Sequence, residues 1–220
     1  MKMKVKKVSV ILIVVMVVSL LAACAGQGTG STTPGGDTGT SGTPGTGSGS
    51  SGTSTNLTGS ALDILTKLDE DLKQTGIEMP MTLPPLEVSA DMSQNDIGLS
   101  SADFNRLVTS AASSLAAIGT FAHQIVIIEA NSAAAATEAK NLISGSSGYD
   151  AQKWICVWPD KVIVVESGQY LLLAAANADV VDAAVEAFKA EAGTIGSVVT
   201  FFEHEGGLEA PAGGEPIQLG

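Results

Sequence analysis

The chain has 220 residues, with 11 Lys plus Arg against 23 Asp plus Glu and a formal net charge of −12. That balance excludes the clustered basic surface on which nucleic-acid binding depends. Two cysteines, Cys24 and Cys156, are too few for a disulfide framework.

Residues 1–23 carry Lys2, Lys4, Lys6 and Lys7, then a run from Val8 to Val18 that is apolar except for Ser9, then Ser19, two leucines and two alanines up to Cys24. A charged start, an apolar stretch of roughly 7–15 residues and a small-residue cleavage point are the three parts of a secretory signal. The alternative is an uncleaved membrane helix, which needs about 20 apolar residues and is normally followed by stop-transfer charges. None follow here. Leu21, Ala22, Ala23 and Cys24 resemble the lipobox of bacterial lipoproteins. The resemblance implies cleavage between Ala23 and Cys24 and diacylglyceryl attachment to the Cys24 sulfur, which places the protein at the cell membrane on its extracytoplasmic face. Two acyl chains are needed because one holds only marginally, at about 0.8 kcal/mol per buried methylene.

Removing the four lysines of the signal leaves 7 basic residues against 23 acidic ones, a net charge near −16. An anionic membrane repels such a domain, so the lipid must do the holding. With Cys24 acylated, Cys156 has no disulfide partner.

Residues 24–57 comprise the lipidated Cys24 and a Gly/Ser/Thr linker with Pro34, Pro44 and a single charge at Asp37. Such a composition cannot bury enough apolar surface to offset the entropy of ordering, and is expected to be disordered. As a flexible coil it has a reach of roughly 30 Å. Asn56-Leu57-Thr58 also matches a glycosylation sequon. The globular part is expected over 58–205, enough for one core, with a disordered tail over 206–220.

Ser60 and Asp63 predict a capping box, and Leu62, Leu65, Leu68 and Leu72 a helix closed by Gly76. From Met79 to Pro85, three prolines exclude helix and central strand. Ser100 or Ser101 caps a short helix with Phe104, Leu107 and Val108 on one side. Ser113–Ile118 and His123–Glu129 read as a hairpin turning at Gly119-Thr120, followed by an Ala-rich helix capped by Asn131 or Ser132 and ending before Gly145. Trp154–Val157, Lys161–Glu166 and Gln169–Ala175 read as strands, the last two joined at Ser167-Gly168, before a helix capped by Asn177. Val198–Phe202 offers a further strand. Two hairpin-plus-helix units predict an α+β fold: one antiparallel sheet with helices on one face.

From about Gly76 to Ala192 this order resembles a family of small bacterial lipoproteins, the domain of unknown function 4358 family. The stretches that carry the resemblance are Asp91-Met92-Ser93 through Ser101-Ala102-Asp103, the His123–Ala130 strand running into a helix, and the hairpin Val162–Leu172 followed by an Asp/Val/Ala helix. The chain departs from the pattern at Ala133–Ala136, where charged residues are more typical. The resemblance implies location and architecture, and no catalytic residues.

Candidate chemistry is sparse. His123 stands on the same strand face as Ile125, Ile127 and Glu129. It has no Cys, His or Asp at ligand spacing, so an edge residue bonded to backbone or water is expected rather than a base or ligand. Glu203-His204-Glu205 cannot converge on one metal ion if extended, because neighbours point to opposite faces. Cys156, between Trp154 and Trp158, is expected in the core, as are both Trp, Tyr149 and Tyr170. Counted from Asp91, a calcium loop would need Gly at the sixth position and Glu at the twelfth, where Asp96 and Ala102 stand. No phosphate loop, nucleophile elbow or Ser/His/Asp set is present.

The expectation is therefore a non-enzymatic, lipid-anchored binding or scaffolding domain of the bacterial cell envelope, with cell-envelope proteins as partners and no metal or cofactor. The alternative is a small solute-binding lipoprotein serving a transporter, which would show two lobes about a cleft.

Overall fold

The computed structural model describes residues 54–154 and 156–204, all within one compact unit, Ser48–Gly220. The signal, Cys24, most of the linker and the tail over 206–220 lie outside the described residues, as does Glu205. The fold is α+β, with a six-stranded antiparallel sheet and helices packed on it. In chain order the elements are α1 (Ala61–Gln74), β1 (Leu86–Glu87), α2 (Ser93–Ile97), α3 (Ser101–Leu107), β2 (Val108–Leu115), β3 (Gln124–Ala130), α4 (Ala133–Ile143), β4 (Lys161–Ser167), β5 (Tyr170–Ala176), α5 (Ala178–Ala192) and β6 (Val199–Glu203). The strand order is β1-β2-β3-β5-β4-β6, so the two hairpins meet along β3 and β5.

Local chemistry sets the boundaries. Ser60 accepts from the Asp63 N–H while the Asp63 side chain accepts from the Ser60 N–H, which closes the expected capping box on α1. Thr75 ends that helix and Gly76 takes the left-handed conformation, φ 75°, just beyond it. Ser100 and Ser132 cap α3 and α4 through their side chains, whereas Asn177 occupies the cap of α5 without a side-chain bond. Gly168 at φ 59° opens the two-residue turn between β4 and β5, as a II′ hairpin requires. The proline segment runs along the outer edge of β2: Leu83 N–H donates to Leu115 O at 2.8 Å, Ala117 N–H donates to Met81 O at 2.8 Å, and β1 then pairs with Ser113 and Ala112. That is the edge position to which proline confines a strand.

Three expectations are corrected. Helices cover both faces of the sheet, not one. On the first face α1 and α5 pack with Ile125, Ile127, Ile163, Val165, Leu172 and Ala174; on the second, α2, α3 and α4 pack with Val126, Ile128, Val162, Val164, Leu171 and Leu173. The cause is that β3, β4 and β5 are apolar at successive positions, so each strand presents a face for burial in both directions. Next, Trp154, Cys156 and Val157, the described residues of the expected strand Trp154–Val157, form none: Cys156 sits at φ 64°, a left-handed conformation incompatible with an extended chain, and Pro159 follows. Third, Val108 starts β2 rather than extending α3, so that strand begins five residues earlier than Ser113 and the loop to β3 is longer.

The domain also begins slightly before Thr58. Leu57 is buried in the first core and Asn56 N–H donates to Ala192 O at 2.9 Å, at the end of α5. The chain thus enters the domain at the pole where β5 begins, opposite the β2–β3 loop.

Candidate functional site

The residues singled out from sequence are dispersed. His123 immediately precedes β3 and is 2% exposed, not an edge residue, and its Nδ1 is buried without a hydrogen-bond partner. Burial holds the imidazole pKa down at about 4. The nearest serine by register, Ser114 on β2, donates its hydroxyl to buried Asp69 of α1 at 2.9 Å. Burial raises the Asp69 pKa, and the Ser114 hydroxyl and the Lys73 charge partly oppose that. Ser114 therefore serves as a donor to a carboxylate rather than to a base.

Cys156 is exposed, contrary to a core role, because the segment carrying it leaves the sheet. Trp154 packs against the second core near the Tyr149 ring, 6.4 Å between centroids. Trp158 meets the ring of His204 edge-on at 6.3 Å. Glu203 is exposed at the end of β6. Among the described residues no group of three or more His, Cys, Asp and Glu side chains is placed to hold a metal ion.

A polar cluster that sequence reasoning missed lies on the second face, at the pole of the β2–β3 loop. Gln124 opens β3 fully buried; its Nε2 donates to Ser113 Oγ at 2.8 Å and to Asp96 O at 3.1 Å. This fixes the amide so that Oε1 faces outward, where it accepts from the Tyr149 hydroxyl at 2.8 Å and from Lys153 Nζ at 2.6 Å. Lys153 Nζ also donates to Asn95 O at 2.9 Å, with Asp96 O at 3.4 Å, and lies 4.4 Å and 5.3 Å from the centroids of the Tyr149 and Trp154 rings. Burial brings the lysine pKa down to about 8, against the pull of Asp96 and Asp150. Burial pushes the Tyr149 phenol up, keeping it a donor.

Two glycines set this geometry. Gly98, at φ 76° after α2, approaches Gly148 and Tyr149 so closely that a Cβ on it would stand 2.1 Å from Tyr149 N. A Cβ on Gly148 would stand 2.2 Å from Ile143 O. The backbone of the segment after α4 is thereby laid against the end of α2, with Tyr149 and Lys153 aimed at Gln124. A buried Gln directly ahead of the apolar run Ile125–Ile128 is the one sequence signal that pointed here.

A margin of exposed apolar side chains lies at the same pole, along the outer edge of β2. Met81 is 75% exposed, Ile118 54% and Phe121 51%. Among the described residues no helix is long and apolar enough to cross a membrane.

Fold and cluster together define an α+β protein whose central strands are buried on both sides and whose most built polar feature is a half-buried ammonium site. No protein-family model, curated protein or solved structure matches the chain.

Proposed function

We propose that this chain is a lipid-anchored, extracytoplasmic lipoprotein of the bacterial cell envelope, whose α+β domain is a non-enzymatic binding or scaffolding module for cell-envelope proteins. The resemblance to the domain of unknown function 4358 family belongs to the same reading. The observation that carries it is the sequence Leu21-Ala22-Ala23-Cys24 directly after a lysine-led apolar run and directly before a Gly/Ser/Thr tract.

The fold supports the second half of the reading. The described residues build one sheet with helices on both faces, rather than the two lobes about a cleft that solute capture uses. His123 and Ser114 are not wired to one another, which favours binding over hydrolysis. The exposed apolar margin at Met81, Ile118 and Phe121 gives the domain contact surface at the pole away from its tether.

The test is metabolic labelling with a fatty acid in a bacterial host. The full chain is expected to take up label and sediment with membranes, and Cys24→Ser to lose both. An unlabelled wild-type chain, or a Cys24→Ser variant that still sediments fully, overturns the proposal.

A further inference from the structure

After removal of the signal seven basic residues remain, and six of them, Lys67, Lys73, Arg106, Lys140, Lys161 and Lys189, stand within ion-pair distance of a carboxylate. Among the described residues Lys153 alone is held otherwise. Its ammonium has three donors, and these meet the carbonyl oxygens of Asn95 and Asp96 and the side-chain oxygen of Gln124. Two aromatic faces flank it, those of Tyr149 and Trp154.

The three acceptor oxygens and the Tyr149 face are fixed by contacts other than those with Lys153. The Asn95 and Asp96 carbonyls belong to α2, ahead of its left-handed Gly98. Gln124 is held by Ser113, Asp96 and Tyr149. Tyr149 is held by its own N–H, which donates to Ile143 O at 2.9 Å. The oxygens present acceptors only, so the cage suits a group that is cationic and carries N–H donors. A quaternary ammonium would leave those acceptors without hydrogens, and a neutral alcohol would bring one donor where three acceptors converge.

We propose that this cage is a preformed primary-ammonium binding site, which the chain fills with its own Lys153. The lysine side chain beyond Cβ has the form of an alkylammonium, so its truncation leaves a vacancy shaped for a small one. In the wild-type chain the tethered amine competes at high effective concentration, in the millimolar range or above for a short connection, and excludes free amines. The inference is independent of lipidation, since it concerns the folded domain only.

The experiment uses the full chain carrying Lys153→Ala, with Lys153→Met as the variant that refills the space without a charge. Lys153→Ala is expected to lower Tm by about 5 °C, and n-propylammonium chloride at about 50 mM, chosen from that millimolar scale, is expected to restore most of the loss and to shift tryptophan emission saturably through Trp154. The same concentrations of n-propanol and tetramethylammonium restore nothing, and neither Lys153→Met nor wild type responds. The proposal is overturned if folded Lys153→Ala takes up no propylammonium, if tetramethylammonium or propanol is as effective, or if Lys153→Met is rescued equally. Should Lys153→Ala fail to fold, refolding in the presence of propylammonium is expected to recover it, and failure to do so also overturns the proposal.

Discussion

At the scale of single residues, His123 is the group whose surroundings make the sharpest demand. A neutral imidazole buried with an unpartnered Nδ1 takes a proton only near pH 4, whereas in the unfolded chain it does so near 6.5. Between those values the unfolded state binds the proton first, so stability falls as pH falls through this window. The contribution amounts to about 3 kcal/mol in all. Asp69 acts in the opposite sense, because its raised pKa makes the folded state the first to protonate as pH drops. Comparing variants cancels that background. His123→Gln nearly keeps the volume and removes the titration, so urea midpoints measured at pH 7, 5.5 and 4 are expected to fall less steeply for the variant than for the wild type. Equal slopes would mean that His123 is not buried neutral.

Elements are placed by a few backbone positions, and two of the positive-φ glycines that follow helices, Gly76 and Gly98, separate conformation from crowding. Gly76 at φ 75° has nothing within 4 Å of a built Cβ, whereas Gly98 at φ 76° has Tyr149 N at 2.1 Å. Gly76→Ala is expected to cost only the left-handed penalty of about 1–2 kcal/mol. Gly98→Ala adds overpacking and should lose roughly 3 kcal/mol or more, with Tyr149 and Lys153 displaced from Gln124. Denaturant titration of the two variants side by side checks this, and comparable losses would show that Gly98 is not a point of close approach. Gly76 was legible from sequence because it follows a periodic helix, and so was the cap Ser60, while the later caps were legible only to one of two neighbours, Ser100 or Ser101 and Asn131 or Ser132. Gly98 was not, since its constraint comes from Gly148 and Tyr149, some fifty residues on. The cluster around Lys153 was hidden likewise: α2, β2, β3 and the segment after α4 each supply one part, and no spacing within any of them announces the others. Trp154–Val157 misled because aromatic and β-branched composition imitates a strand, while the left-handed Cys156 decides otherwise.

For the whole molecule, the decisive fact is that one sheet serves two cores. The unbroken apolar runs of β3, β4 and β5 carried this in the sequence, since a strand covered on one side alternates and a strand covered on both does not; the expectation of one helical layer came from counting hairpin-plus-helix units instead. β5 shows the consequence most directly. Leu171 is fully buried in the core under α2, α3 and α4, and its neighbour Leu172 fully buried under α1 and α5. Truncating either to Ala should cost about 2–5 kcal/mol. Because both cores hang on the same strands, each truncation is expected to unfold the entire domain in one transition. Trp154 reports on the second face, while α1 and α5, the two longest of the described helices, dominate their helical signal from the first. Tryptophan emission and far-ultraviolet circular dichroism should therefore give coincident urea midpoints in both Leu171→Ala and Leu172→Ala. If Leu171→Ala shifted the emission midpoint and left the dichroism midpoint in place, the two faces would be separate folding units joined only by a shared backbone, and the two-sided core would not be what makes this domain cohere.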